Sequence, residues 1–203
     1  MPASFPPSAF WDFSLRLYVR PGVADACLRL QARHGIDVNM LLCCLWRGAE
    51  GERLTRRRIR AMIARVRTLH EQVVRPLRTA RTALKSMLDG DPALGAAIAA
   101  VRAAVKASEL DAEHVEQLIL AGMFSEPRAT GAREPHTLAR ANAESYCAVL
   151  GLRLSAADRA DLDFVAGSLD GWKTQQFHVV GPVIRRAGKR GYNRPLASGR
   201  RGA

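Results

Sequence analysis

Apolar residues recur at three- and four-residue steps over most of residues 8–169, and the runs stop at Gly, Pro, Ser and Asp. That period predicts helices throughout. Ser8 is placed to cap a helix over about Ala9–Val19. Its apolar residues Phe10, Trp11, Phe13, Leu15, Leu17 and Tyr18 cover more than one face, as in a helix wedged deep in a core. Pro21 and Gly22 break the chain before a helix over Val23–His34, which Gly35 ends. Asp37 caps a third helix, with Val38, Leu41, Leu42 and Leu45 inward and Gly48 near its end.

Thr55 opens a long helix toward Leu88. Ile59, Ile63, Val66, His70, Val73, Leu77, Ala80, Leu84 and Met87 alternate steps of four and three, a seven-residue seam of coiled-coil type. Pro76 lacks a backbone N–H, so a kink or break is expected there. Asp89-Gly90-Asp91-Pro92 reads as a turn. An alanine-rich helix follows, with Leu94, Ile98, Val101 and Val105 on one face. Asp111 is expected to cap a separate helix burying Val115, Leu118 and Ile119. Ser125–Pro135 reads as a loop. Thr137 begins a helix with Leu138, Ala141, Tyr146 and Val149 inward, stopped by Gly151. Ser155 and Asp158 form a capping box for Ala156–Leu169. The pattern predicts an all-α fold: a single compact domain over 8–170 of about seven helices, one of them long, basic and kinked near Pro76. Residues 171–203 read as a basic, largely disordered tail.

Charge divides the chain further. Its 203 residues carry a net charge of +12. Residues 1–52 are neutral, whereas 53–88 hold eleven bases and one acid, Glu71. Residues 89–170 are net acidic, and 171–203 hold eight bases and no acid. The basic helix therefore either lies on the acidic block or faces a polyanion. No apolar run approaches the ~20 residues that cross a bilayer. The N-terminus has no basic region before its apolar residues, so no secretory signal is read and a cytoplasmic location is expected. Cys27, Cys43, Cys44 and Cys147 include no C-x-x-C and are expected to be reduced, partly buried small residues.

The strings FWDFSLRLYVRPGVADACLRLQ, GIDVNMLLCCLW and EQVVRPLR resemble an uncharacterised proteobacterial family of helical proteins, a domain of unknown function. The resemblance covers roughly residues 8–169 and is densest before residue 90. It implies a compact, helical, cytoplasmic protein. It implies no catalytic residue and does not extend to the basic tail.

Candidate chemistry is sparse. No nucleotide-binding, nucleophile-elbow or kinase motif occurs. No two of the five histidines pair at i+3 or i+4, and no metal site, cofactor or catalytic residue is expected. His70, inside an apolar seam, reads as a hydrogen-bonded core histidine. Asp158, Asp161 and Asp163 read as acids favoured by a helix N-terminus. Asp12 and Asn39 are polar residues inside apolar blocks, and a buried polar group must find a partner. They are candidates for a polar pocket walled by Trp11, Tyr18 and Trp46. Arg56, Arg57, Arg60, Arg67, Arg78, Arg81 and Lys85 are candidates for anion binding, since guanidinium groups pair well with phosphate or carboxylate. The expected function is a non-catalytic protein-binding adaptor or regulatory module. Non-specific RNA or DNA binding through the arginine-rich helix and tail is the alternative. An unrecognised enzyme or small-molecule binder near Asp12 and Asn39 is the third. The expected partner is another protein, then nucleic acid, with no membrane.

Overall fold

The computed structural model describes residues 4–88, 94–124 and 135–170. The elements are α1 (Ala9–Tyr18), α2 (Val23–His34), α3 (Val38–Ala49), α4 (Arg56–Leu69), a π-turn (His70–Val74), α5 (Arg75–Met87), α6 (Gly95–Ala121), α7 (Pro135–Val149) and α8 (Ala156–Gly167). With α4, the π-turn and α5 taken as one rod, seven helices and no strand are present among the described residues. The all-α class is as the sequence predicts. The Asp89–Pro92 turn, the loop from Ser125 to residue 134 and the tail at 171–203 lie outside the described residues.

Local chemistry sets the helix ends. Ser8, Asp37 and Thr55 each accept a backbone N–H of the first turn, from Trp11, Asn39 and Arg58. The capping box is complete: Ser155 Oγ accepts Asp158 N–H at 3.1 Å, and Asp158 Oδ2 accepts Ser155 N–H at 2.8 Å. Gly35 closes α2 with φ +64°, a left-handed conformation that costs glycine no Cβ clash.

The core forms around α3. Every residue from Asn39 to Ala49 is buried, so α3, rather than α1, is the helix enclosed on all sides. Phe10, Phe13 and Leu17 of α1 reach the same core, while Val19 at its end is exposed. Ile59, Met62 and Val66 of α4, Leu120 of α6, Tyr146 of α7 and Leu162 and Val165 of α8 complete it. Each large apolar side chain so buried contributes ~1.5–3 kcal/mol. α3 and α7 approach each other closely. A Cβ added at Gly48 would lie 2.2 Å from both the Cα and the N of Ala139. That contact explains why α7 buries Ala139, Asn142, Ala143, Tyr146 and Cys147, whereas Leu138 and Ala141 are half-covered and Val149 packs on the edge of the core. Small residues are needed where two helix backbones nearly touch.

The other departure from expectation is α6. Asp111 caps nothing; it lies exposed inside one continuous helix. No Gly or Pro interrupts 96–121, and alanine keeps helical propensity high across the join. Val115, expected inside, is exposed; the buried side carries Glu109, Ala112, Glu116 and Leu120. The inner face of α6 is thus partly ionic, which an apolar-period reading cannot identify.

One region stands apart from the core. α5 has no buried residue, and α6 has none before Glu109. The two helices pack on each other and form an arm leaving the domain.

Candidate functional site

The buried face of α6 meets the N-terminus of α3 and the π-turn in a polar cluster. Asn39, singled out in the sequence for its buried setting, is its hub. Asn39 Nδ2 donates to Glu116 Oε2 at 2.6 Å, and Gln117 Nε2 donates to Asn39 Oδ1 at 2.8 Å. The Asn39 backbone N–H donates to Asp37 Oδ1 at 2.8 Å. Thus one oxygen of each carboxylate is held by Asn39. The other oxygen of each faces a single atom, His70 Nδ1, at 3.1 Å from Glu116 Oε1 and 3.4 Å from Asp37 Oδ2. Tyr146 buttresses the group by accepting the Asp37 backbone N–H at 3.1 Å.

The π-turn brings His70 here. The His70 carbonyl accepts from Arg75 N–H, five residues on. Pro76 follows directly; it has no N–H, and its ring crowds the carbonyl one turn back. The ladder widens into a π-turn, a local form frequent at functional sites. The irregularity expected at Pro76 therefore lies one turn earlier.

Electrostatics in the cluster follow from burial. Asp37 is pushed up to about 7, first by desolvation and then by the Glu116 charge. For His70, burial works against the imidazolium, but the hydrogen bond to Glu116 and the charge of Asp37 outweigh it and leave its pKa above the ordinary value. Beside the cluster lies a cavity of about 190 Å³, lined by Asp37, His70, Met40, Ile63, Val66 and Tyr146 among others.

The other residues of the expected polar pocket have neighbours of their own. Trp11 stacks on His114, ring centroids 3.8 Å apart, and Trp46 stacks on Phe10 at 5.1 Å. Tyr18 is half-buried, and burial raises its hydroxyl pKa. Asp12 is half-buried on α1; desolvation raises its carboxyl and Arg16 counters this. Among the described residues no hydrogen bond joins Asp12 to Asn39. The sequence identified Asn39 but not its side-chain partners, because Glu116 and Gln117 come from a helix 77 and 78 positions further along.

The arginine candidates divide into two groups. Arg78 donates to Glu109 at 3.1 Å and Glu113 at 2.6 Å, and Arg81 donates to Glu109. The acidic side of α6 thus neutralises part of α5. Arg56, Arg57, Arg60, Arg67 and Lys85 are exposed, with no carboxylate in ion-pair range among the described residues. On α8, Asp158 and Asp161 pair with Arg29, Arg33 and His34 of α2, and Asp163 pairs with Arg140. All four cysteines are free and buried.

The chain belongs to the family described as "Protein of unknown function (DUF2390)", which matches residues 9–120. The match takes in α1–α5 and nearly all of α6, and so Asp37, Asn39, His70, Glu116 and the whole arm. No curated protein and no solved structure matches the chain. No helix among the described residues is long and apolar enough to cross a membrane.

Proposed function

We propose that this member of the family is a non-catalytic docking module whose α5–α6 arm receives an amphipathic helix with acidic flanks from a partner protein. The observation that carries this reading is the arm's uncovered apolar line. Leu77 and Leu84 of α5, with Ile98 and Val105 of α6, are half-covered. Met87, Leu94 and Val101 are 54, 54 and 53% exposed. Leu94 and Val101 are seven apart and so share a helix face. Two helices with apolar heptad positions left open make half of a bundle, and a further helix would fill the open groove.

Charge selects the occupant. Residues 75–88 and 94–108 contain no acid; with Arg78 and Arg81 taken up by Glu109 and Glu113, Arg75, Lys85, Arg102 and Lys106 remain. A second copy of this arm would bring like charges together, whereas acidic flanks would meet Lys85, Arg102 and Lys106. Fluorescence anisotropy with a labelled synthetic Leu/Glu amphipathic helix tests the reading on the full chain. Saturable binding is expected, with little binding of the Leu/Lys counterpart. Equal binding of both peptides, binding of neither, or a chain that dimerises through the arm would overturn it.

A second reading rests on a separate surface. Arg56, Arg60 and Arg67 lie within about 40° of one another around α4 at 100° per residue, and they are exposed. They support non-specific polyanion binding. With three or four phosphates neutralised, affinity for a single-stranded RNA should fall with salt at a log–log slope of about −2 to −3. A salt-independent signal, or one unchanged in an Arg56→Ala/Arg60→Ala/Arg67→Ala variant, excludes it.

A further inference from the structure

His70 Nδ1 carries at most one proton, yet it faces two carboxylate oxygens, Glu116 Oε1 at 3.1 Å and Asp37 Oδ2 at 3.4 Å. One N–H can point straight at only one of them, so the second oxygen is left with at best a bent, shared contact. Protonating the second ring nitrogen adds charge but no further donor at Nδ1, the atom that both acids face. A cation placed between the three atoms satisfies all of them. Ligand atoms around a tetrahedral zinc, each bonded at ~2.0–2.1 Å, stand ~3.3 Å apart. The two observed separations bracket that edge, and the three donor atoms all lie within 4.8 Å of one another.

The surroundings are those of a held ligand set. Glu116 is wholly buried, and the side chains of Asp37 and His70 are 11 and 14% exposed. Asn39 fixes the remaining oxygen of each carboxylate, through its backbone N–H to Asp37 and its side chain to Glu116. Gln117 in turn fixes Asn39. Hydrogen bonds to the non-ligating oxygen are what orient carboxylate ligands and set their basicity. The cavity of about 190 Å³ reaches Asp37 and His70, which gives an entry path and room for a water on the open side.

We propose that Asp37, His70 and Glu116 form a binding site for one divalent first-row metal ion, with Asn39 as the residue that positions both carboxylates and at least one coordination position open to the cavity. The donor set of one imidazole and two carboxylates suits borderline ions such as Zn²⁺ or Fe²⁺, and its oxygens also suit the harder Mn²⁺, rather than a thiolate-preferring ion. His70 would bind through Nδ1 as neutral imidazole, so binding releases any proton held there. The site is separate from the arm, and its test is independent of the docking reading.

The experiment uses the full chain after chelator treatment and dialysis. Isothermal titration with Zn²⁺ is expected to give one equivalent per chain. X-ray absorption on the zinc-loaded wild type is expected to show nitrogen and oxygen neighbours with one imidazole and no sulfur. His70→Ala and the nearly isosteric Glu116→Gln should each weaken binding at least 100-fold, and Asn39→Ala, which removes no ligand, by ~10–100-fold. Circular dichroism checks that each variant is folded. Sulfur in the zinc shell, no one-to-one binding to the folded wild type, or undiminished binding in folded His70→Ala overturns the site. The wild-type spectrum decides even if a variant does not fold.

Discussion

Asn39 Nδ2 donates to Glu116 Oε2 at 2.6 Å, joining the first turn of α3 to the buried face of α6. Glu116 has no solvent exposure, so water cannot replace this donor. A buried acceptor left without its partner costs ~1–3 kcal/mol. Asn39→Ala should lower unfolding stability by about that amount in urea titration. Asn39→Asp should cost more, since it adds a third carboxylate beside Asp37 and Glu116. An Asn39→Asp protein as stable as wild type would mean that the cluster is wetter than this geometry implies.

Gly48 is fixed by contact rather than by backbone conformation. An added Cβ would overlap the Ala139 backbone, which cannot swing aside as a flexible side chain can. Gly48→Ala should therefore separate α3 from α7 and cost ~1–3 kcal/mol. Gly167→Ala, where an added Cβ meets nothing within 4 Å, should be neutral or stabilising by ~0.4–1 kcal/mol. Thermal melts of the two variants, moving in opposite directions, check the prediction.

Asp158 gives a pH signature. Burial raises its carboxyl, but the Ser155 backbone N–H and hydroxyl and then His34 outweigh burial and hold it well below the ordinary 3.8. Arg33 and Arg29 of α2 also face this corner, with Asp161 as the neighbouring acid. A group depressed in the folded state contributes its stability in full above its unfolded pKa, and that contribution is lost as pH falls through the folded value. Wild type should exceed Asp158→Asn by ~1–2 kcal/mol at pH 7, from the cap and the ion pairs together. The gap should narrow steadily below about pH 4. Denaturant titrations of both proteins at pH 7, 4 and 2.5 measure it; a gap that widens in acid would refute the assignment.

The arm should be dispensable for folding. Met87→Ser and Val101→Ser alter exposed side chains and should shift stability by no more than ~0.5 kcal/mol. Leu120→Ala, in the same helix as Val101 but wholly buried, should cost ~2–5 kcal/mol. Urea midpoints of the three variants compare directly.

Much of this fold is written locally. Ser8, Gly35, Asp37, Thr55, Gly151 and the Ser155–Asp158 box mark helix ends by chemistry confined to one turn, and they stand where the sequence placed them. The long-range features were not legible. Asp111 carries the signal of a cap, but a cap forms only where the helix must end, and the alanine-rich stretch before it continues the helix instead. Val115 fits an apolar period, but Glu116 turns inward because Asn39 and His70 offer partners. His70 reads in the sequence as a hydrogen-bonded core histidine; it is half-buried and bonds Glu116, and that two carboxylates converge on its Nδ1 depends on α3 and α6 meeting. The arginines of α4 and α5 are alike in sequence; the position of Glu109 and Glu113 takes up Arg78 and Arg81, and the end of α6 takes up Arg58.

Methyl NMR of the full chain tests the central claim, that the α5–α6 arm is a docking surface for an acidic amphipathic helix. On titration with the Leu/Glu peptide, the resonances of Met87, Leu94 and Val101 should shift together and saturate, while those of Leu41 and Val165 in the core stay unmoved. Unperturbed arm methyls, or shifts that appear only on residues outside α5 and α6, would contradict it.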